Sequence, residues 1–248
     1  MQQWYLHPDY ADGETGRAFR SLDSVFRLQG EQITKGNLGA TSRVTVGERT
    51  FYVKLYRQAG KGVRRWIGRS RLRGEWENLQ HFADWKIPAA QRVAFGIEKR
   101  IGFFVRGAVI TAGLPETDDL AQMAKRNDPR LKNRQWVNTV SGQLAQIARI
   151  LHLHRFAHGD FKWRNILVTR TDPPQVYLID CPGGRFWSPP FLQYRKNKDI
   201  ACLDKVAKNV LTRTQRLRFY LDYLKAGRLD LISKKNLRYI LRFFDNEI

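Results

Sequence analysis

The stretch His158-Gly159-Asp160-Phe161-Lys162-Trp163-Arg164-Asn165-Ile166-Leu167-Val168, followed by Val176-Tyr177-Leu178-Ile179-Asp180, constrains this chain more than any other part of it. Residues 166–169 and 175–179 are short apolar runs of strand type. Between them Thr171-Asp172-Pro173-Pro174 is a strong turn signal, so the two runs predict a hairpin. Closing that hairpin returns Asp180 to the side of Asn165. The fold must then hold two carboxylates, one amide and one ammonium in a compact loop-and-hairpin unit.

A chain of 248 residues can bury a full core, as one large domain or as two lobes. With 42% hydrophobic and 12% aromatic residues it is no disordered tail. The formal net charge of +21 is extreme, and such an excess usually meets nucleic acid, an anionic membrane surface or an anionic substrate. Charge alone does not choose among the three. Cys181 and Cys202 lack the spacing of a redox pair and are too few for a disulfide framework, so two reduced cytosolic thiols are expected. Residues 1–30 read as neither a signal peptide nor a transit peptide, and no apolar run approaches the roughly 18–20 residues of a spanning helix. The expectation is a soluble, cytoplasmic protein, with a place on a membrane surface left open.

Residues 24–28, 43–46 and 50–56 read as strands, the last two joined by a Gly47-Glu48 turn. Thr34-Lys35-Gly36-Asn37-Leu38-Gly39 is either a plain hairpin turn or the remnant of a glycine-rich phosphate loop. In Phe51-Tyr52-Val53-Lys54-Leu55-Tyr56, period two puts Lys54 on the face of Tyr52 and Tyr56, as an edge lysine or as a cation aimed into a cleft. Residues 61–73 carry Lys61, Arg64, Arg65, Arg69, Arg71 and Arg73 around Trp66 and Ile67, a basic patch suited to phosphates or to acidic lipid unless it is simply solvated.

The next segment is a predicted helix. At 100° per residue Leu72, Trp76, Leu79, Phe82 and Ala83 form one stripe, Glu75 falls on it, and Glu77 lies opposite. A carboxylate on an apolar stripe needs a cation, and Lys54 is the candidate. Runs at 92–97, 101–105 and 108–112 are strand-like, and the chain turns helical past Leu114. Thr117 is the expected N-cap of a helix beginning at Asp118. Further helices are predicted around Trp136 to Leu151, over 197–211 and 212–224, and over 233–244, the last a packing helix or a membrane-surface one. The expected division is a β-rich lobe at 1–113 and a helical lobe at 114–248.

Asp160, Lys162 and Asn165 lie within six residues. Transfer of a phosphoryl group to a hydroxyl needs a carboxylate to orient and accept the proton, an oxygen ligand for a metal ion and a cation on the γ-phosphate. The loop supplies all three, and Asp180 adds a second candidate metal ligand.

On these residues the sequence resembles the protein-kinase-like superfamily, whose HRDxxxxN loop corresponds to His158 through Asn165. More closely, it is similar to the lipopolysaccharide core kinases of Gram-negative bacteria, the heptose and Kdo kinases. Tyr52 to Tyr56, Gly74-Glu75-Trp76, the loop at 158–168, Tyr177 to Asp180, Asn197 to Leu203 and Arg216 to Tyr220 carry the likeness, which runs from about residue 28 to 225. The resemblance implies an α+β, bilobal protein-kinase-like fold with a nucleotide-binding first lobe and a catalytic second lobe. It implies Asp160 as catalytic base, Lys162 on the transferring phosphate, and Asn165 and Asp180 on Mg²⁺. Lys54 would bind the α/β-phosphates of ATP with Glu75 holding it, Gly36 and Gly39 would cover them, and the backbone around Thr111 to Gly113 would face adenine. Thr34 replaces the first loop glycine, Asp180-Cys181-Pro182 lacks the usual phenylalanine, and no APE motif follows, which points away from a peptide substrate. The implied reaction is ATP- and Mg²⁺-dependent phosphorylation of a sugar hydroxyl, heptose foremost, in the inner core of lipopolysaccharide. It would take place at the cytoplasmic face of the inner membrane, with no nucleic acid partner. Arg64, Arg65, Arg69, Arg71 and Arg73 would contact acceptor or membrane. A kinase for Kdo, another anionic acceptor or protein hydroxyls, and an inactive basic binding module, are the alternatives.

Overall fold

A computed structural model of the chain describes residues 2–59 and 69–245. The described residues divide into two compact units, Met1–Asp84 with Ala89–Pro115, and Trp85–Pro88 with Glu116–Ile248.

The first unit runs β1 (Gln2–Leu6), α1 (Gly13–Ala18), α2 (Leu22–Phe26), β2 (Glu31–Gly36), β3 (Gly39–Val46), β4 (Arg49–Tyr56), α3 (Arg71–Asp84), β5 (Arg92–Arg100) and β6 (Phe103–Ala112). Its strands form a six-stranded antiparallel sheet in the order β1-β5-β6-β4-β3-β2. Strand alternation assigns the two faces. Phe51, Val53, Ala108 and Ile110 pack with Phe19, Leu22 and Val25, and fully burying each of the larger side chains stabilises the unit by about 2 kcal/mol. Val109 faces the other way, into a cluster with Leu72 of α3 and Ile97.

Three local expectations are corrected here. Residues 24–28 are not a strand: the Ser21 side chain accepts from Ser24 N, and Leu22 and Val25, three apart, bury one face of α2. The runs at 101–105 and 108–112 are one strand, β6, because the break falls earlier, at Ile101 and Gly102, both with positive φ. Thr117 is not a helix cap but the first residue of a strand opposite Thr169. By contrast Asn37-Leu38 forms the two-residue turn of a hairpin between β2 and β3.

The second unit comprises β7 (Thr117–Asp119), α4 (Leu120–Lys125), α5 (Arg134–Leu153), β8 (Phe156–Ala157), β9 (Ile166–Thr169), β10 (Val176–Leu178), β11 (Arg185–Phe186), α6 (Phe191–Val210), α7 (Arg213–Leu224) and α8 (Leu231–Leu241). The helices α6 and α8 begin earlier than their apolar spacing predicts, at Phe191 and Leu231. Asp119 caps α4 by accepting from Ala121 N and Gln122 N. A short sheet orders β10-β9-β7, and β11 pairs with β8. Trp85 stacks on His154 at 4.3 Å, which seats residues 85–88 in this unit. Asp118, nearly buried on β7, binds Arg130 at 2.7 Å, Arg126 at 3.1 Å and Arg170 at 3.2 Å, and Asp128 shares Arg126 and Arg130. Among the described residues no helix is long and apolar enough to cross a membrane.

Candidate active site

In the second unit the chain between β8 and β9 is bent by Gly159, whose φ of +77° is a conformation that side chains other than glycine rarely adopt. His158 turns inward, fully buried, and stacks on Phe161 with ring centres 5.2 Å apart. Burial pushes the His158 pKa down, so the imidazole is neutral at physiological pH. The loop is fastened from beneath by α6. Asp199, fully buried, accepts from His158 N at 2.7 Å and from Gly159 N at 2.9 Å. His152 of α5 reaches the same carboxylate at 3.4 Å through Nε2, while its Nδ1 lies 2.8 Å from the Tyr223 hydroxyl of α7. The Trp163 indole donates to Leu203 O at 2.9 Å, a second tether to α6.

Held in this way, Asp160 keeps its carboxylate at the surface with three donors around it. Lys162 Nζ lies 2.5 Å from Oδ1, Arg164 Nη2 3.0 Å from Oδ2, and Asn165 Nδ2 donates to Oδ2 at 3.2 Å and to Asp160 O at 2.8 Å. Burial favours the neutral acid, but the hydrogen bonds from Lys162 and Arg164 outweigh it and hold the Asp160 carboxyl below the usual carboxylate range. Because Asn165 turns its amide nitrogen to Asp160, its Oδ1 remains as a hard oxygen donor. The β9–β10 hairpin closes as expected, with Leu178 opposite Ile166, and Ile179 N donates to Asn165 O at 3.0 Å. Asp180 follows with φ +59°, next to Asn165. An amide oxygen and a carboxylate are ligand types that fit a divalent cation which also binds phosphate and water. Among the described residues no group of three or more His, Cys, Asp or Glu gathers as a metal site, here or elsewhere.

In the first unit, Lys54 forms an ion pair with Glu75, which is 1% exposed on the apolar stripe of α3. The Tyr56 hydroxyl donates to the other carboxylate oxygen at 3.1 Å. Gly39 pairs with Gly36 and lies so close to β4 that a Cβ would fall 1.9 Å from Leu55 O, so this glycine is required by strand packing. Thr111 is buried at the end of β6, and Gly113 N donates to Thr50 O at 2.7 Å. Glu77, on the far side of α3, binds Arg69 at 2.8 Å and Arg73 at 2.6 Å. Arg71 is exposed at the first residue of α3. Arg64 and Arg65 lie outside the described residues.

The residues singled out in the sequence thus fall into two groups, Asp160, Lys162, Asn165 and Asp180 in one unit, and Lys54, Glu75, Gly36, Gly39, Thr111, Gly113 and the three described arginines in the other. Two contributors escape local pattern reading. Arg164 follows Asp160 by four residues and binds it directly. Asp199 lies four residues before Leu203 and seven before Val206, on the apolar stripe of its helix, the same signal that marks Glu75.

Known proteins resemble this chain in sequence and in fold. The chain is 24% identical over 179 residues to the B1 kinase of Variola virus and 24% identical over 182 residues to that of Vaccinia virus, each alignment covering 72% of this chain. The chain spans about half, 51%, of the length of these curated relatives. A solved structure of WaaP in complex with acyl carrier protein shares the fold at a TM-score of 0.76 and 21% identity, covering 99% of this chain and 97% of the other. Residues 24–223 match the family profile described as lipopolysaccharide kinase (Kdo/WaaP), and the chain belongs to that family.

Proposed function

We propose that this protein is an ATP- and Mg²⁺-dependent kinase that phosphorylates a heptose hydroxyl of the lipopolysaccharide inner core, peripherally bound at the cytoplasmic face of the inner membrane. Family membership supports lipopolysaccharide as the source of the acceptor. The observation that carries the reaction is the Asp160 loop, in which the Lys162 ammonium and the Asn165 amide nitrogen both reach the Asp160 carboxylate on a buried anchor.

In this mechanism the two units act as one kinase domain, the first for nucleotide and the second for chemistry. Asp160 accepts a hydrogen bond from the acceptor hydroxyl and takes its proton as the phosphoryl group transfers. Its lowered pKa suits orienting the hydroxyl in a loose transition state more than early deprotonation. Lys162, released toward the transferring group, neutralises its developing charge. Asn165 and Asp180 would hold Mg²⁺, which would supply positive charge to offset that of the nucleotide phosphates. Lys54, positioned by Glu75, binds the α/β-phosphates, the Gly36–Gly39 hairpin covers them, and backbone around Thr111 to Gly113 meets adenine. Arg71, with the rest of the basic run, contacts acceptor or membrane.

Transfer of labelled phosphate from ATP to purified core glycolipid, compared between wild type and Asp160→Ala, tests the mechanism; equal activity in the two would sink it. Heptose-containing, Kdo-only and protein acceptors in the same assay separate the heptose kinase from its alternatives.

One feature favours an additional partner. The second unit contains an apolar cavity of about 470 Å³ lined by Leu144, Trp163, Leu203, Leu217, Tyr220 and Ile240. The related WaaP was solved with acyl carrier protein, and an acyl chain has the chemistry to fill such a cavity. Thermal stabilisation by acylated but not by unacylated carrier protein supports that partner, and its absence removes it.

A further inference from the structure

The surface beside the Asp160 loop carries cations that the proposed transfer chemistry does not use. β11 runs antiparallel to β8, with Arg185 opposite Ala157 and Phe186 opposite Phe156, and Trp187 N then donates to Arg155 O at 2.9 Å. The segment therefore lies along the strand that leads directly into His158-Gly159-Asp160. From the other side, the Arg195 guanidinium lies over the Trp187 ring, 4.1 Å from its centre, and 5.4 Å from that of Tyr194. Arg195 precedes Asp199 by one helical turn, and Asp199 holds the backbone of His158 and Gly159. Two independent connections thus fix this cation relative to Asp160 within one unit.

Arg195 is half-buried, yet among the described residues it meets no carboxylate, and its Nε is buried without an acceptor. A guanidinium that meets no carboxylate keeps its charge for an anion that approaches its exposed part. Arg155, whose carbonyl accepts from Trp187 N, is exposed, and Lys196, next to Arg195 in sequence, is half-buried with its pKa pushed down by burial and then by Arg155. A guanidinium held flat on an indole has lost its rotamer freedom, and its planar fork matches a carboxylate or phosphate. Membrane-surface cations, in contrast, are long, exposed and mobile. Exposed Phe186 and Tyr194 add aromatic faces of the kind that sugar rings stack on.

We propose that Arg195 seated on Trp187, with Lys196 and Arg155, forms an oxyanion subsite that reads a carboxylate or phosphate group on the acceptor saccharide, beside the hydroxyl that is phosphorylated. It rests on the assignment of the chain as a saccharide kinase and adds which residues select the acceptor. The subsite explains a use for part of the +21 charge: an acceptor that is already anionic is held by one patch while its hydroxyl is offered to another.

Three acceptor probes test it: intact core glycolipid, the same glycolipid with its carboxylates reduced to alcohols, and the same glycolipid after phosphatase treatment. Arg195→Gln is expected to raise KM for the intact acceptor about tenfold or more, the usual loss for a hydrogen bond to a charged group, with kcat and the KM for ATP within about twofold of wild type. The penalty disappears on whichever treated acceptor has lost the recognised group, and so names it as carboxylate or phosphate. Arg195→Lys, which keeps the charge and loses the fork, falls between. An equal KM ratio on all three acceptors overturns the subsite. So does loss of binding to phosphatidylglycerol vesicles with acceptor KM unchanged, which makes the patch a membrane contact. Titration of the glycolipid without nucleotide separates the two levels. If wild type transfers no phosphate but binding depends on Arg195, the kinase assignment falls and the subsite stands; binding independent of Arg195 removes the subsite whatever is phosphorylated.

Discussion

The Asp199 carboxylate accepts the backbone N–H of His158 at 2.7 Å, across 41 residues of sequence, and so fixes the loop that carries Asp160 to the middle of a long helix. Asp199→Asn keeps the shape but leaves one of the two N–H groups, His158 buried and Gly159 exposed, without its acceptor. We expect a stability loss of about 2–4 kcal/mol by chemical denaturation. Phosphate transfer should fall more than ATP affinity, because Lys54 and Glu75 belong to the other unit.

Gly159→Ala places a side chain at φ +77° with its Cβ 3.4 Å from Gly183 O. The backbone conformation costs an alanine about 1–2 kcal/mol, and relaxation of the loop shifts Asp160. A fall in kcat larger than the loss of stability is the expected signature, read from parallel kinetics and urea unfolding.

Glu75→Ala removes the nearly buried partner of Lys54. Breaking a fully buried pair costs about 3–5 kcal/mol, and because Lys54 is 17% exposed the expected loss is lower, about 2 kcal/mol. The KM for ATP should rise tenfold or more, as about 1.4 kcal/mol of lost nucleotide positioning requires. Unchanged nucleotide affinity would remove Lys54 from the phosphate site.

Acid stability should depend on the arginine-bound aspartates. At Asp118 burial favours the neutral acid, yet hydrogen bonds from Arg170, Arg130 and Arg126 drive its pKa far below the ordinary range. A carboxylate lowered on folding contributes stability that is fully present above its unfolded pKa of about 4 and is lost as pH falls through the folded value. Wild-type stability from this source should therefore hold from pH 7 to about 4 and decline below. Asp118→Asn should be less stable at pH 7 and show a flatter acid limb in denaturation measured at several pH values.

Divalent cation dependence tests Asp180. Chelation with EDTA should abolish phosphate transfer, and Asp180→Asn should raise the Mg²⁺ concentration for half-maximal rate by tenfold or more, since one charged oxygen ligand is lost. Asn165→Ala is expected to act in the same direction.

Much of the site was legible because its signals are local. Asp160, Lys162 and Asn165 share one loop, and the Thr171 to Pro174 turn alone returned Asp180 to Asn165. Lys54 and Glu75 are 21 apart, but a strand period and a helix period each fixed one facing direction. Asp199 was harder, because its shortest bonds are to the main-chain N–H groups of His158 and Gly159, which leave no trace in residue type. The segment at 24–28 misled for a related reason: Val25, Phe26 and Leu28 suit a strand by composition, and only the Ser21 cap and burial against Phe51 make a helix of it. At Thr117 and Asp119, two good capping residues compete, and pairing of the first with Thr169 decides between them.

The pairing of both Asp160 oxygens has an outcome beyond geometry. Lys162 is 44% exposed and Arg164 61% exposed, so each contact is worth no more than about 1 kcal/mol and exchanges readily. A tightly held acceptor hydroxyl displaces one of them without difficulty, whereas a passing water gains little by doing so. On the proposed mechanism the loop would therefore receive its acceptor by exchanging one exposed side chain, with the backbone anchored to Asp199 left in place.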